Sequence, residues 1–376
     1  MSPDQPRRAE AVIDLRAIRH NVALLAGRAA DSGAATMAVV KADGYGHGAV
    51  PAARAALDGG ATWLGTCSLA EALDLRAAGI TAPMLSWLDT PDVDFAPGIE
   101  QGVDISVSSL PELGRVATAA SRVGRPARVH LKLDTGLARN GCHPSEWPAL
   151  VKAAAADPYL DVAAIWSHLA CADEPGHPSI DAQAGRFHAG YAIARDLGLN
   201  PLRHLANSAA TLTRPDLHFD LVRPGIAVYG LNPVPQQEDL RPAMTFRSTV
   251  VLVKRIEAGE SVSYGHTWTA SRATTLALVP AGYADGVPRT LSNRMSVWLD
   301  GQRRPMVGRV CMDQIVVDCG DHEPQLGAEV VLFGTGTQGE PTAREWADTI
   351  GTIDYEIVTG MYRPRVVRTY LGEVAR

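Results

Sequence analysis

Lysine is scarce in this 376-residue chain: of 35 basic residues only Lys41, Lys132, Lys152 and Lys254 are lysines. Where arginine serves for almost every positive charge, the remaining lysines are candidates for chemistry that an always-protonated guanidinium cannot do. Codon usage alone would give the same bias, so position has to decide. Cysteine is also sparse. The five (Cys67, Cys142, Cys171, Cys311, Cys319) are odd in number and scattered, with no CxxC, which excludes a disulfide framework and a zinc site as readings. No apolar run approaches the ~18 residues of a membrane span, and the opening MSPDQPRRAEAVIDL lacks the apolar core of a secretory signal. Excess positive charge is missing too: 41 acidic residues outnumber the basic ones and the net charge is -6, which argues against a protein that grips nucleic-acid phosphates. Walker A, HExxH and GxSxG sequences are absent. What is present, 46% hydrophobic and 20% charged residues, is ordinary for a soluble globular protein, and a cytosolic enzyme is the expectation. At about 150 residues per domain the length suits two domains, or one large barrel with an appendage.

Short apolar runs recur through the first 230 residues, separated by alanine-rich stretches of helical spacing. They are MAVVKAD (37–43), WLGTC (63–67), MLSW (84–87), DISVS (104–108), RVHLKLD (128–134), VAAIWSH (162–168), RHLANS (203–208) and LVRPGIAVYG (221–230). Helix signals follow most of them: Ser68 or Ser109 as an N-cap, Pro144 or Pro178 near a first turn, Gly59 or Gly79 at an end. Continuous apolar strands alternating with helices are parallel strands buried on both faces. Eight such units over residues 11–240 predict a (β/α)8 barrel of the triosephosphate-isomerase type, with a doubly wound open sheet as the alternative. Beyond a Pro/Gln-rich link at 232–242 the runs become short, β-branched and separated by Gly, Asp or Pro. Residues 241–376 therefore read as a mainly antiparallel β-domain, to which the extreme N-terminal strand is a candidate addition, with one helix over Ala343–Ile350.

Gly334-Thr-Gly336-Thr-Gln-Gly339 matches the dinucleotide GxGxxG pattern, but too little chain follows it for a second parallel strand and an acidic ribose ligand, so it reads as a glycine-rich turn. The polar residues on the barrel strands are more informative, because catalytic groups in this architecture gather at the C-terminal strand ends. Lys41 ends the first strand, followed by Asp43-Gly-Tyr45-Gly-His-Gly48. Lys132 and Asp134 end the fifth, with Arg139 just beyond, and His168 ends the sixth. Asn207 and Ser208 end the seventh; Arg223 and Gly225 lie on the eighth. A lone strand-end histidine is usually a hydrogen-bonded core residue, but a ring drawn from five strands describes one site. A lysine ending an apolar strand is partly desolvated, which lowers its pKa and frees its amine for a Schiff base. With Ser208 and the backbone near Gly225 for a phosphate and an arginine for a pyridine nitrogen, the set suits pyridoxal phosphate. A sugar-phosphate aldolase would share most of these features.

AVVKADGYGHG resembles the cofactor-lysine signature of the alanine racemases. The resemblance continues through HLKLDTGLARNG, WSHLACAD, HLANSAA, LVRPGIAVYG, SVSYGHTW, VPAGYADG, GRVCMDQ and TIDYEIVTG, in family order, from about residue 11 to residue 369. It implies that Lys41 forms the internal aldimine of pyridoxal 5'-phosphate. Tyr45, Ser208, Gly225, Ile226 and Tyr355 would hold the phosphate, and Asn207 would belong to the same cofactor-binding set. Arg223 would face the pyridine nitrogen with His204 behind it. Arg139 would contact the cofactor's phenolic oxygen and the substrate carboxylate. Tyr264 would be the second base, connected to His168, and Met312 would touch the substrate from its backbone. Lys132 matches a position that in many members carries a carbamate paired with the arginine, here Arg139. Leu137 stands where Met is common, a harmless exchange. The resemblance further implies a head-to-tail homodimer in which each site joins Lys41 of one subunit to Tyr264 of the other.

The physical logic agrees. Racemisation takes the α-proton from one face and returns it on the other, so two bases on opposite faces suffice. Tyrosine, with an unperturbed pKa of ~10, needs a histidine–arginine network to stabilise its phenolate. An arginine beside the pyridine nitrogen disfavours its protonation, weakens the electron sink and suppresses transamination. The expected function is interconversion of L- and D-alanine, supplying D-alanine for a bacterial cell wall. The alternatives are a broad-specificity racemase, a decarboxylase of similar build, and a non-enzymatic pyridoxal-phosphate carrier, which would need no second domain.

Overall fold

The computed structural model describes residues 8–372. The chain opens with strand β1 (Glu10–Asp14). Eight barrel strands follow: β2 (Ala35–Val39), β3 (Trp63–Thr66), β4 (Met84–Ser86), β5 (Asp104–Val107), β6 (Ala127–Lys132), β7 (Leu160–Trp166), β8 (Leu202–His204) and β9 (Leu221–Val222). Each pairs in parallel with its sequence neighbour from β2 to β8, and β9 returns to pair with β2. The remaining seam is bridged by Asp220 N–H donating to the Arg203 carbonyl (3.1 Å) and Arg223 N–H to that of Ala206 (2.9 Å). A last strand on the first makes a nearly closed barrel and excludes the open doubly wound sheet. The strands are short, and side chains such as Met37, Leu64, Leu85, Val107, Leu131 and Ile165 are fully buried, as strands covered by helices on the outside require.

Local signals set the helices. Ser68 accepts from the Glu71 N–H in a capping box, and Ser109 caps Leu110–Val123 by accepting from the Glu112 N–H, while the Glu112 carboxylate holds the Ser108 N–H. Pro178 opens Pro178–Asp196, and Gly59 ends Ala49–Asp58. The helix expected near Pro144 starts later, at Trp147, with Pro148 in its first turn.

The chain divides into two compact units that are discontinuous in sequence. Among the described residues, one takes Ala17–Gly44 and Gly48–Leu240; the other takes 8–16, Tyr45–His47 and 241–372. The second unit is built on a nine-stranded sheet in which β1 lies between Met244–Thr249, antiparallel, and Val367–Leu371, parallel. The other neighbours in this sheet are antiparallel. Helix Ala343–Ile350 lies where expected, and a second short helix, Asp354–Gly360, follows it. The Gly334–Gly339 segment is a turn whose donors are already used: the Glu340 carboxylate accepts from Gly336 N–H (2.9 Å), Gln338 N–H (2.8 Å) and the Thr335 hydroxyl (3.0 Å).

Candidate active site

The barrel unit gathers its chemistry at the C-terminal strand ends. Lys41 follows β2, with Nζ 5.8 Å from the centre of the Trp87 ring. Directly after it the backbone turns left-handed at Ala42, Asp43, Gly44 and Tyr45, with φ between 51° and 62°. For the three residues with a Cβ this costs roughly 1–2 kcal/mol each, and it persists because the surroundings enforce it. Ala42 N–H donates to Glu71 Oε1 (2.8 Å), Gly44 N–H to the Val40 carbonyl (2.8 Å), and Ala49 N–H to Asp43 Oδ1 (2.7 Å). Glu71 Oε2 meanwhile holds the Cys67 N–H at 2.7 Å. Glu71 therefore braces both the strand end before its helix and the lysine loop. Gly46 has φ +83°, and a Cβ there would lie 2.6 Å from the Val358 carbonyl oxygen, so only glycine fits.

Lys132, at the end of β6, is 4% exposed and lies 4.2 Å over the Trp166 ring. Burial, reinforced by the charges of Arg223 and Arg139, pushes its amine down to about 7. Arg139 is exposed on the loop after β6. Arg223 is buried, and burial lowers its guanidinium to about 9. Its Nη2 donates to the carbonyls of Ser167 (2.8 Å) and Leu205 (3.2 Å) and lies 3.3 Å from His168 Nδ1; its Nη1 lies 3.2 Å from His204 Nδ1. Both histidines are held well below the ordinary imidazole range, by burial first and by Arg223 next. Lys41, Lys132, Arg139 and Arg223 all bear on His168, and this concentration of positive charge suits an anionic ligand.

The ends of β8 and β9 meet through one hydroxyl. Ser208 Oγ accepts from the N–H groups of Gly225 (2.8 Å) and Ala227 (3.3 Å), tying the start of helix Ser208–Thr213 to the turn Ile226–Tyr229. Asn207 caps that helix through Oδ1 and Ala210 N–H (3.1 Å). With those N–H groups satisfied inside the junction, the Ser208 hydroxyl, which accepts from both, has its own hydrogen to offer a phosphate oxygen. Ile226 is buried beside them.

The second unit holds the other residues singled out in the sequence. Tyr264 lies between the paired segments Ser261–Val262 and Trp268–Thr269, and it is 72% exposed. Its loop is shaped by positive φ at Ser263, Gly265 and His266, with the Arg309 guanidinium under Gly265. Met312 is 53% exposed, and its carbonyl accepts from Ala284 N–H (3.0 Å). Tyr355, on Asp354–Gly360, packs 6.2 Å from Tyr45 at 52°. Residue-level reading of the sequence passed over Glu71, Arg309 and the pair Asp104–His130. Ser68 reads in the sequence only as an N-cap; its S-x-x-E spacing could have added Glu71 as the capping partner, but nothing local signals the bond from Glu71 to the lysine loop.

The strand-end basic residues and the Ser208 junction mark an enzyme site for an anionic ligand on the barrel, in a chain that also carries a β-unit. Comparison with known proteins makes this specific. Residues 13–233 match the family model "Alanine racemase, N-terminal domain" and residues 243–370 "Alanine racemase, C-terminal domain". The alanine racemase of Salinispora tropica is 56% identical over 370 residues, 97% of this chain and 99% of that protein. The crystal structure of alanine racemase from D-cycloserine-producing Streptomyces lavendulae superposes with a TM-score of 0.95 at 51% identity, covering 98% of each chain. That of the Bartonella henselae enzyme, with covalently bound pyridoxal phosphate, gives 0.89 at 30% identity over 97% of this chain and all of its own. The chain belongs to the alanine racemase family.

Proposed function

We propose that the protein interconverts L- and D-alanine, with pyridoxal 5'-phosphate as cofactor and with Lys41 and Tyr264 as the two bases. The observation that carries this reading is the basic character of the barrel's strand ends, where Arg223 lies 3.3 Å from His168 Nδ1 and Arg139 and Lys41 bear on the same ring, which suits a ligand bearing both a phosphate and a carboxylate. When bound, the cofactor supplies an electron sink that acidifies the substrate α-proton. Lys41 is its covalent attachment point. Ser208, with the backbone of Gly225 and Ile226, would hold the phosphate, joined by Tyr45 and Tyr355; Asn207 caps the helix that begins at Ser208. Arg223 faces the ring nitrogen and, carrying its full charge at neutral pH, keeps that nitrogen unprotonated. Arg139 orients the substrate carboxylate and the Met312 N–H supports it. Lys41 Nζ then receives or returns the proton on one face of Cα, and Tyr264 Oη does so on the other, with His168 and Arg223 stabilising the phenolate.

Several features support the finer parts of the reading. A base that is 72% exposed on its own chain, as Tyr264 is, calls for a cover, and a head-to-tail homodimer supplies one by placing Lys41 of one subunit opposite Tyr264 of the other. A lysine lowered to about 7 is substantially neutral at physiological pH, the form that takes up carbon dioxide, so Lys132 is assigned a carbamate paired with Arg139. Residues 11–240 are taken as the cofactor-binding part and the chain from 241, with the N-terminal strand, as the part that supplies Tyr264 and Met312. The product D-alanine would serve cell-wall synthesis in the cytoplasm. Incubation with L-alanine and pyridoxal phosphate followed by chiral analysis tests the activity: equal L- and D-alanine is expected, and recovery of L-alanine alone, or of a keto acid, would contradict it.

A further inference from the structure

Asp104 and His130 do nothing in the scheme above, yet both are buried inside the barrel, 3% and 0% exposed. They continue a chain of hydrogen bonds that starts at Arg223. Arg223 Nη1 lies 3.2 Å from His204 Nδ1, His204 Nε2 lies 3.0 Å from His130 Nδ1, and His130 Nε2 lies 3.0 Å from Asp104 Oδ2. Trp166 lies parallel to His204, rings 5.5 Å apart at 8°, and fixes its plane. The chain crosses the barrel from β9 through β8 and β6 to the first residue of β5.

The two ends determine every proton between them. A guanidinium only donates and a carboxylate only accepts. His204 Nδ1 must therefore be bare and its hydrogen must sit on Nε2. That hydrogen needs a bare Nδ1 on His130, whose own hydrogen is then on Nε2, where Asp104 accepts it. Any other placement sets two hydrogens, or two lone pairs, against each other in a dry core. We propose that Asp104 and His130 are positioning residues for Arg223: they hold His204 with its Nδ1 lone pair toward the guanidinium and so fix how Arg223 is presented at the mouth of the barrel. Asp104 also pairs with Arg128 at the outer end (3.1 Å), and Arg128 reaches Asp161 (3.1 Å). The partners of Arg223 itself are imidazoles and carbonyls, and the Asp104 carboxylate acts on it only through the two rings.

The inference rests on the reading of Arg223 as the group that faces the cofactor ring, so its test is read on the protein's own histidines. In protein labelled with 15N-histidine, free of cofactor and again loaded, long-range proton–nitrogen couplings identify which ring nitrogen carries hydrogen. The expected result is Nε2–H on both His130 and His204, with slowly exchanging ring protons. Asp104→Leu removes the last acceptor and should speed exchange of both protons and lower kcat/KM for alanine about 10- to 100-fold, the effect of orphaning a buried donor. Asp104→Asn should keep both signals and most of the activity, since its amide oxygen can still accept. Arg128→Leu, which removes the ion pair but leaves the chain, should change neither. Hydrogen on Nδ1 of His204 in the unsubstituted protein would overturn the proposal. So would an unchanged His204 signal in Asp104→Leu, or an equal effect from Arg128→Leu. If Asp104→Leu does not fold, the tautomer in the unsubstituted protein decides alone. Absence of racemase activity with the Nε2–H pattern intact would count against the proposed function and not against this chain.

Discussion

Lys132 Nζ stands 4.2 Å from the centre of the Trp166 ring, and the Arg223 guanidinium stands 4.8 Å from the same ring. One indole thus carries two cations, and its N–H is committed to Ser106 Oγ at 3.0 Å. Attraction to the ring does not offset the loss of water and the mutual repulsion, which is why the Lys132 amine falls to about 7.

That shift predicts a pH dependence of stability. Between about 7 and the ordinary lysine value of 10.5 the unfolded chain binds a proton at Lys132 that the folded chain does not, so this residue's contribution becomes more favourable as pH rises through that window. Below it both states are protonated and the full penalty of burying the charge applies. Cofactor-free Lys132→Met in buffer stripped of carbon dioxide should melt above the unsubstituted protein at pH 6, and the gap should narrow toward pH 10. A gap that widens with pH would contradict this.

Carbon dioxide should engage the same amine. Protein equilibrated with 13C-bicarbonate near pH 8 should show a carbamate resonance that is missing from Lys132→Arg. Retention of the signal in that variant would place the modification elsewhere.

Lys41 should be the point of cofactor attachment. Borohydride treatment of the protein loaded with pyridoxal phosphate should fix the label on the peptide containing Lys41. Labelling on Lys132, Lys152 or Lys254 would displace the assignment.

The barrel was legible because each strand is a short apolar run and the candidate site residues fall at the strand ends. Lys41, Lys132, His168 and Arg223 could all be found by asking what ends an apolar run. His130 and Asp104 could not, since a polar residue within such a run reads as an isolated exception until β5, β6 and β8 bring its partners together. The left-handed turn at Ala42, Asp43 and Tyr45 was hidden for another reason: alanine and tyrosine ordinarily avoid positive φ, and Glu71, 29 residues away from Ala42, is part of what holds the turn there. Helix Asp354–Gly360, which carries Tyr355, is one short stretch with β-branched residues and a terminal glycine, and nothing local separates it from a loop. Pairing of β1 with Val367–Leu371 joins opposite ends of the chain and has no local signal at all.

The family resemblance also implies that Tyr355 and Met312 lie near the substrate's α-substituent, where they would leave room for little more than a methyl group. Alanine should be preferred over serine and strongly over leucine, because each added methylene in a tight pocket costs ~1–3 kcal/mol. Comparable kcat/KM for alanine and leucine would favour a broad-specificity racemase.

Lys41 and Tyr264 are proposed as opposed bases supplied by two subunits, and mixing inactive variants separates that arrangement from a site built within one chain. Lys41→Ala and Tyr264→Phe homodimers should each be nearly inactive as racemases. Unfolding and reassembling equal amounts together should make about half the dimers mixed, each with one site carrying both defects and one intact site, so about a quarter of the unsubstituted activity should return. The Tyr264→Phe homodimer alone should still exchange the α-proton of one enantiomer, D-alanine by the family's pattern, with solvent deuterium, while exchange from L-alanine falls sharply. No recovery on mixing, or equal residual exchange from both enantiomers, would contradict the two-base site shared between subunits.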